Sequence, residues 1–210
     1  MRQVTFGEHK SYDDLHIIIG SKEIGMPSVK TATIDVEGAD GVIDQTEYFG
    51  RVNYGNRTIK YECSLMVYPL LEYYTALADV LHGRRFKIVH DDDPDWFYVG
   101  RLALSEFREE KGVGKFTIEA DCEPYKLYHT QTLHTEVVDG SASIVLNNSR
   151  KRAIPTIQTN AEMTIVYNGL TLVHSAGTYL HPDIELVEGN NVIDVTGTGT
   201  ITFTWQEGRL

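Results

Sequence analysis

The chain has 210 residues, and 30 Asp and Glu against 19 Lys and Arg give a formal net charge of -11. This acidic balance argues against nucleic-acid binding, which requires basic side chains to neutralise phosphates. Hydrophobic residues make up 41% of the chain and charged residues 23%, as in globular proteins with one large or two small domains. The apolar run Leu15–Ile19 is too short to cross a bilayer, so we expect no membrane insertion.

The N-terminal part of the chain predicts short strands separated by turns. Three segments have strand-like composition: Val4–Phe6, Leu15–Ile19 and Val29–Val36. Gly38 and Gly41 bracket a turn, and both are candidate structural glycines because such turns require positive φ angles. The aromatic, glycine-punctuated segment Tyr48–Tyr54 predicts a loop or the arm of a long hairpin.

One convincing helix follows the alternating strand Arg57–Met66. Its apolar residues recur at helical spacing: Leu70, Tyr74, Leu77, Ala78 and Leu81. Pro69 suits the start of this helix, and Gly83 suits its end, where a left-handed residue is needed. A lone helix with an apolar stripe needs a sheet to cover it, so we place it against the flanking strands.

The strands after the helix complete the N-terminal domain. An acidic turn, Asp91–Asp95, is predicted between two strands, Phe86–His90 and Trp96–Leu104. Leu102–Arg108 and Lys115–Cys122 then flank a glycine-rich tip, which is typical of a hairpin. We assign residues 1–127 to this domain.

Residues 128–210 predict a second domain of strands alone, arranged as an antiparallel β-sandwich. The clearest hairpin joins Met163–Tyr167 and Leu170–His174 through Asn168-Gly169, a pair that accepts the positive φ angles of a two-residue turn. Turns are also predicted at Asp139-Gly140 and at Gly197-Thr198-Gly199. Trp205 alternates into a core-facing position in the last strand.

No motif for catalysis, metal binding or a cofactor emerges from the sequence. Asp91, Asp93 and Asp95 begin like a calcium loop, but Trp96 and Leu102 occupy the positions that require Gly and Glu. His129 and His134 lack the spacing of zinc ligands. The adjacent Glu109 and Glu110 point to opposite faces of a strand and cannot act as a glycosidase pair. We expect no cofactor. We expect Cys63 and Cys122 to be reduced core residues, with a disulfide as the alternative if the two strands that carry them are neighbours.

The order of the motifs resembles the distal tail protein (Dit) family of long-tailed siphophages. The predicted helix and seven segments carry the resemblance: Ile34–Asp44, Tyr54–Ile59, Gly83–Ile88, Trp96–Leu102, Phe116–Tyr125, Glu188–Ile193 and Gly199–Phe203. One departure is Glu37, where the family pattern has Pro before the glycine. The resemblance implies a mainly β chain, with a ring-forming N-terminal sheet domain that holds one helix and a galectin-like C-terminal sandwich.

The resemblance also implies a function and partners. Such proteins form a hexameric ring at the distal end of the phage tail, and they are made in the host cytoplasm. The ring joins the tail tube protein to tail-tip, lysin, fibre or receptor-binding proteins, and DNA passes through its lumen without specific binding. This reading makes the chain a structural protein, not an enzyme. The alternatives are a carbohydrate-binding module in the C-terminal sandwich and a cell-wall hydrolase.

A closed ring needs surfaces that meet a neighbouring subunit, and the arm, the hairpin tip and the outer face of the helix are the candidates. The candidate interface residues are Tyr48, Phe49, Tyr54, Arg57, Tyr73, Glu110 and Lys111.

Overall fold

The structure is a computed structural model that describes residues 3–48 and 50–210. It is mainly β, and the described residues contain one helix. The chain divides into two compact units, Met1–Pro124 and Tyr125–Leu210. The sequence predicts this division three residues later, between Leu127 and Tyr128.

The first unit contains one main sheet and the helix. Its elements are β1 (Val4–Phe6), β2 (His9–Lys10), β3 (Ile17–Ile24), β4 (Thr33–Asp35), β5 (Val42–Asp44), β6 (Arg57–Leu65), α1 (Leu70–Leu81), β7 (Arg85–His90), β8 (Asp93–Leu104), β9 (Arg108–Glu110) and β10 (Val113–Cys122). The strand order is β2-β1-β7-β8-β10-β6-β3, and β9 pairs with β10. All of these pairs are antiparallel.

The predicted helix and its neighbours follow the expected periodicities. Every second residue of β6 is buried, from Arg57 to Leu65, because a strand directs alternate side chains to opposite faces. On α1, Leu70, Leu77 and Leu81 are buried in the same core cluster as the inner residues of β6 and β10. Gly83 follows the helix with φ 73°, and its N–H donates to the Leu102 carbonyl at 2.8 Å.

The predicted hairpin after β8 differs in detail. The strand ends at Leu104, and the chain is irregular until β9. Phe107 stacks on Tyr74 with 4.9 Å between ring centroids, which draws this segment toward the helix and out of the ladder. A two-residue turn at Lys111-Gly112 then leads into β10.

Two other boundaries in this unit also differ from the prediction. The acidic turn is short, since β8 begins at Asp93. The predicted strand Val29–Val36 is reduced to β4 and one isolated bridge at Val29.

The second unit is a β-sandwich without a helix among its residues. Its strands are β11 (Lys126–Tyr128), β12 (Thr132–Asn148), β13 (Thr156–Thr159), β14 (Met163–Tyr167), β15 (Leu170–His174), β16 (Gly177–Leu180), β17 (Gly189–Trp205) and β18 (Gly208–Arg209). The sheet order is β15-β14-β17-β13-β16, β12 lies on the other side of β17, and β11 pairs with β18. The Asn168-Gly169 hairpin is confirmed, with φ angles of 48° and 82°.

Two of the predicted turns are wrong. Asp139-Gly140 and Gly197-Thr198-Gly199 lie inside two continuous strands of 17 residues each, β12 and β17. Gly140 is directly opposite Gly197 in the ladder between them. Both glycines have positive φ angles, 84° and 146°, yet the pairing continues through them. Gly140 and Gly197 therefore pair with each other within two continuous strands, and neither forms a turn that reverses the chain.

Candidate assembly surfaces

Residues 26–48 and 50–56 belong to an arm that leaves the main sheet between β3 and β6. At its tip, β4 and β5 pair only with each other among the described residues, with Ile34 opposite Ile43. Its base is held by backbone hydrogen bonds, from Lys30 N–H to the Asn53 carbonyl and from Gly55 N–H to the Ser28 carbonyl, both at 2.8 Å. The arm is thus anchored at its base and paired only with itself at its tip.

The arm exposes apolar side chains. The exposed fractions are 45% for Ile34, 59% for Val42, 54% for Ile43 and 73% for Tyr48. An isolated two-stranded hairpin is marginally stable in water, and grouped exposed apolar residues mark interaction sites. These properties make the arm the first candidate assembly surface.

The turn at the tip of the arm requires its glycines. Gly38 and Gly41 have φ angles of 81° and 78°, which residues with a Cβ rarely adopt. A Cβ at either position would meet no other atom within 4 Å, so the conformation and not crowding imposes the requirement. Tyr54 is half-buried at the base of the arm, where it bridges to Val29. Phe49 lies outside the described residues.

Arg57 does not belong to the exposed set. Its side chain is 2% exposed, and the guanidinium carbon lies 5.3 Å from the centroid of the Tyr98 ring. Its position in the inward-facing alternation of β6 explains the burial, since residues 57, 59, 61, 63 and 65 share one face. The cation is therefore a core residue of the first unit and is not available to a neighbouring subunit.

A polar pair lies in the same core. The hydroxyl of Tyr61 and Nε2 of His90 are hydrogen-bonded at 2.8 Å, and both side chains are buried. Burial lowers the pKa of His90 to about 4 and raises the pKa of Tyr61 well above its ordinary value. Both groups are therefore neutral at physiological pH, because the cost of burying a charge outweighs the attraction of His90 to the carboxylates of Asp91, Asp92 and Asp93.

The junction between β6 and α1 forms a second candidate surface, the helix-start patch, which consists of Met66, Tyr68 and Leu71. Their exposed fractions are 58%, 66% and 64%. The Tyr68 hydroxyl donates to the Gly112 carbonyl at 2.6 Å, which fixes the tip of the β9–β10 hairpin beside the patch. Sequence reasoning missed this patch, although Met66 continues the outward-facing positions of β6 and Leu71 lies off the helical stripe.

Two of the predicted interface residues, Glu110 and Lys111, lie at that hairpin tip. Both are exposed, and Lys111 has a φ of 52° in the turn. Glu110 pairs with Lys115 at 2.9 Å, and this partner lowers the pKa of Glu110. Tyr73 is half-buried against the core, with its ring 6.2 Å from that of His16. Tyr73 therefore offers less surface than Glu110 and Lys111.

An open groove of about 570 Å³ crosses the outer face of the first unit near β6, β9 and β10. Four of its charged residues are paired, Lys115 with Glu110 at 2.9 Å and Arg108 with Glu106 at 3.8 Å, and Glu62 accepts from the Ser21 hydroxyl at 2.8 Å. Cys63 also lines the groove, but its thiol is buried, and burial raises its pKa to about 12. The groove therefore presents no activated nucleophile of the kind that a cysteine enzyme uses.

The described part of the chain contains no group of three or more His, Cys, Asp or Glu side chains that could hold a metal ion. In the acidic turn, Asp92 binds the Lys22 ammonium at 2.7 Å and Asp91 accepts from the Gln3 N–H at 3.0 Å. Cys63 and Cys122 are free and buried, as predicted.

Trp205 is 3% exposed in the core of the second unit, also as predicted, and cannot stack on a sugar there. Among residues 3–48 and 50–210, no helix has the length and hydropathy that a membrane span requires.

Comparison with known proteins shows which solved structures share this fold. No protein-family model matches the chain, and no curated protein matches it. Solved structures do match, and they identify the architecture as that of a phage distal tail (Dit) protein. One of them is the crystal structure of the SPP1 Dit (gp 19.1) protein, described as a paradigm of the hub adsorption apparatus in phages that infect Gram-positive bacteria. The TM-score is 0.74 at 16% sequence identity, and the alignment covers 100% of both chains. The chain therefore has a Dit-like fold over its full length.

Proposed function

We propose that the chain is a structural subunit of a phage tail tip, located at the distal end of the tail in the virion. In this proposal it forms a hexameric ring that joins the tail tube to tail-tip and adsorption proteins and lets DNA pass through its lumen. The observation that carries the proposal is the full-length likeness to the SPP1 Dit hub protein. The acidic composition supports it, because a lumen without excess positive charge does not retain DNA.

The role we assign is not catalytic and requires no cofactor. The paired charges of the groove and the buried thiol of Cys63 support this part of the proposal. The buried Trp205 removes the aromatic platform on which a sugar-binding role for the second unit would depend.

The arm is the part of the chain that we assign to the ring contact. A ring requires two different surfaces that meet, because the contact repeats head to tail around the axis. The arm supplies one apolar surface, and the helix-start patch with the Glu110–Lys111 tip supplies another within the same unit. Covering Ile34, Val42, Ile43 and Tyr48 would give the arm the packing that it lacks in a single chain.

Mass measurement by light scattering coupled to size exclusion, with negative-stain images, tests the ring. The wild-type protein should reach six times 23.7 kDa, either alone at high concentration or with tail-tube or tail-tip partners. A protein that stays monomeric under all of these conditions would remove the ring from the proposal.

The arm is tested by Ile34→Lys with Ile43→Lys, which places two charges on exposed, mutually paired positions without touching a core. We expect this variant to stay folded and to lose the hexamer. Val173→Lys is the matched control, since Val173 is 62% exposed and lies in the second unit. If the arm variant still forms hexamers as the control does, the ring contact lies elsewhere.

A further inference from the structure

Strand β12 presents a long open edge in the second unit. It has 17 residues, and β17 is its one strand partner among the described residues. The other two edge strands of this sheet, β15 and β16, have 5 and 4 residues. The side of β12 away from β17 therefore offers an extended row of backbone N–H and C=O groups with no strand beside it.

This edge has little of the usual protection against strand addition. Natural edge strands are blocked by proline, by lysine or other charges, or by brevity. Residues 132–148 contain no Pro, Lys or Arg, and their charged residues are Glu136 and Asp139. Three outward-facing side chains are strongly exposed, Leu133 at 63%, Val137 at 73% and Val145 at 52%. Both the backbone and these side chains are thus suited to pairing with another strand.

The sequence of β12 is complementary to itself in one antiparallel register, centred on Ser141. This register sets these residues opposite one another across a twofold axis: Val137 and the partner's Val145, Val138 and the partner's Ile144, Gly140 and the partner's Ala142, and Ser141 and the partner's Ser141. Branched apolar residues meet branched apolar residues around a centre of small residues. Asp139 lies opposite the partner's Ser143 and Glu136 opposite the partner's Leu146, so no two carboxylates meet. A register centred on Asp139 would instead place two carboxylates opposite each other.

We propose that β12 pairs antiparallel with β12 of a second copy of this chain, about a twofold axis at Ser141. The contact is isologous, with the same surface used by both copies, whereas the ring contact proposed above is head to tail. The pairing continues the sheet of the second unit into its partner and covers Val137 and Val145 of both copies. It goes beyond the proposed function, since it requires neither the arm nor a ring.

Cysteine crosslinking of the full chain tests the register. Ser141→Cys places two thiols opposite each other, within reach of a short bismaleimide, and we expect a covalent dimer as the main product on a denaturing gel. Ser143→Cys is the matched control, because it is equally exposed but lies about 13–14 Å from its own counterpart in this register. Wild-type protein should not crosslink, since Cys63 and Cys122 are buried.

Charge substitutions at positions 137 and 145 test the same register, with the Ser141→Cys crosslink as the readout. In the Ser141→Cys protein, Val137→Lys with Val145→Lys sets like charges opposite each other twice and should abolish the crosslinked dimer. Val137→Glu with Val145→Lys sets opposite charges there and should restore it. Both side chains are exposed in the single chain, so an unchanged thermal transition confirms that each variant folds.

Two results would overturn the pairing: absence of the Ser141→Cys dimer, or equal crosslinking of the Ser141→Cys and Ser143→Cys proteins. Failure of the Glu–Lys exchange to restore the dimer would overturn this register. These readouts are separate from the ring test. A crosslinked pair is visible on a denaturing gel whether or not rings form, and a hexameric mass does not depend on the crosslink.

Discussion

Asn191 is the most highly connected buried side chain in the second unit, and its removal makes the sharpest stability prediction. The residue is 2% exposed. Its Oδ1 accepts from the Val187 N–H at 2.8 Å and from the Tyr167 hydroxyl at 2.9 Å. Its Nδ2 donates to the carbonyls of Leu146 at 3.2 Å, Val187 at 2.9 Å and Gly189 at 3.1 Å. One side chain therefore ties β14 and the start of β17 to the end of β12 and the loop before β17.

Asn191→Ala should lower the free energy of unfolding of the second unit by about 3–5 kcal/mol. A buried donor or acceptor left without a partner costs about 1–3 kcal/mol. The substitution removes the acceptor of the Val187 N–H and the donor to the carbonyls of Leu146, Val187 and Gly189, of which the bond to Leu146 is fully buried. The Tyr167 hydroxyl retains the Glu185 carbonyl as an acceptor at 2.9 Å, so it adds little to the loss.

Urea denaturation followed by tryptophan fluorescence measures the effect. The chain has 2 tryptophans, so a Trp96→Phe background leaves Trp205 as the single reporter, and it is buried in the second unit. Asn190→Ala is the matched control, because Asn190 is exposed and makes one side-chain bond, to Asn147 at 2.9 Å. The control should change stability by less than about 0.5 kcal/mol.

Asn191→Asp tests the direction of the amide. The aspartate keeps an acceptor toward the Val187 N–H but turns a second acceptor toward the three carbonyls. We expect a loss at pH 7 at least as large as that of the alanine variant, with partial recovery at low pH, where the carboxyl group can donate. An aspartate variant as stable as the wild type at pH 7 would refute the hydrogen-bond assignment.

Three further predictions concern the first unit. Because burial holds the pKa of His90 at about 4, below the value of about 6.5 in an unfolded chain, protonation favours unfolding. The unfolding free energy should therefore be constant above pH 6.5 and fall by about 3 kcal/mol toward pH 4. His90→Phe should flatten this pH dependence. Equal slopes of unfolding free energy against pH in both proteins would contradict the lowered pKa of His90. Gly100→Ala should destabilise the unit by about 2 kcal/mol or more, because its Cβ would overlap the Cys122 sulfur. Cys122→Ala in the same protein should recover only part of the loss in urea denaturation, since the Asp121 carbonyl oxygen would still lie 2.9 Å from this Cβ. Lys111→Gly should stabilise the hairpin by about 1 kcal/mol, since Lys111 has a φ of 52°; a lower melting temperature would show that its side chain makes a needed contact.

Much of the candidate assembly surface could be predicted from the sequence, but which of its side chains are exposed could not. The arm follows from glycines and aromatic residues between two strands, and the hairpin tip from Glu110 to Gly112. Arg57 is a predicted interface residue, yet its side chain is only 2% exposed. Its inward position and its contact with Tyr98 become visible only when β6 and β8 lie in one core.

By itself the sequence determined those structural elements that depend only on residues close together along the chain. The stripe from Leu70 to Leu81 specified the helix, the alternation from Arg57 to Leu65 specified a half-buried strand, and Asn168-Gly169 specified a tight hairpin. Each of these signals arises from backbone geometry within a few residues, so a local pattern is sufficient.

Only the tertiary structure decided whether a glycine reverses the chain or lies within a strand. Asp139-Gly140 and Gly197-Thr198-Gly199 each have the composition of a turn, yet both lie in 17-residue strands. Gly140 and Gly197 are opposite each other, so the ladder continues through a level where neither strand has a Cβ. That outcome depends on a partner 57 residues away in the chain, which no local pattern contains. The same long-range pairing leaves the far edge of β12 open, from which the proposed contact between two copies follows.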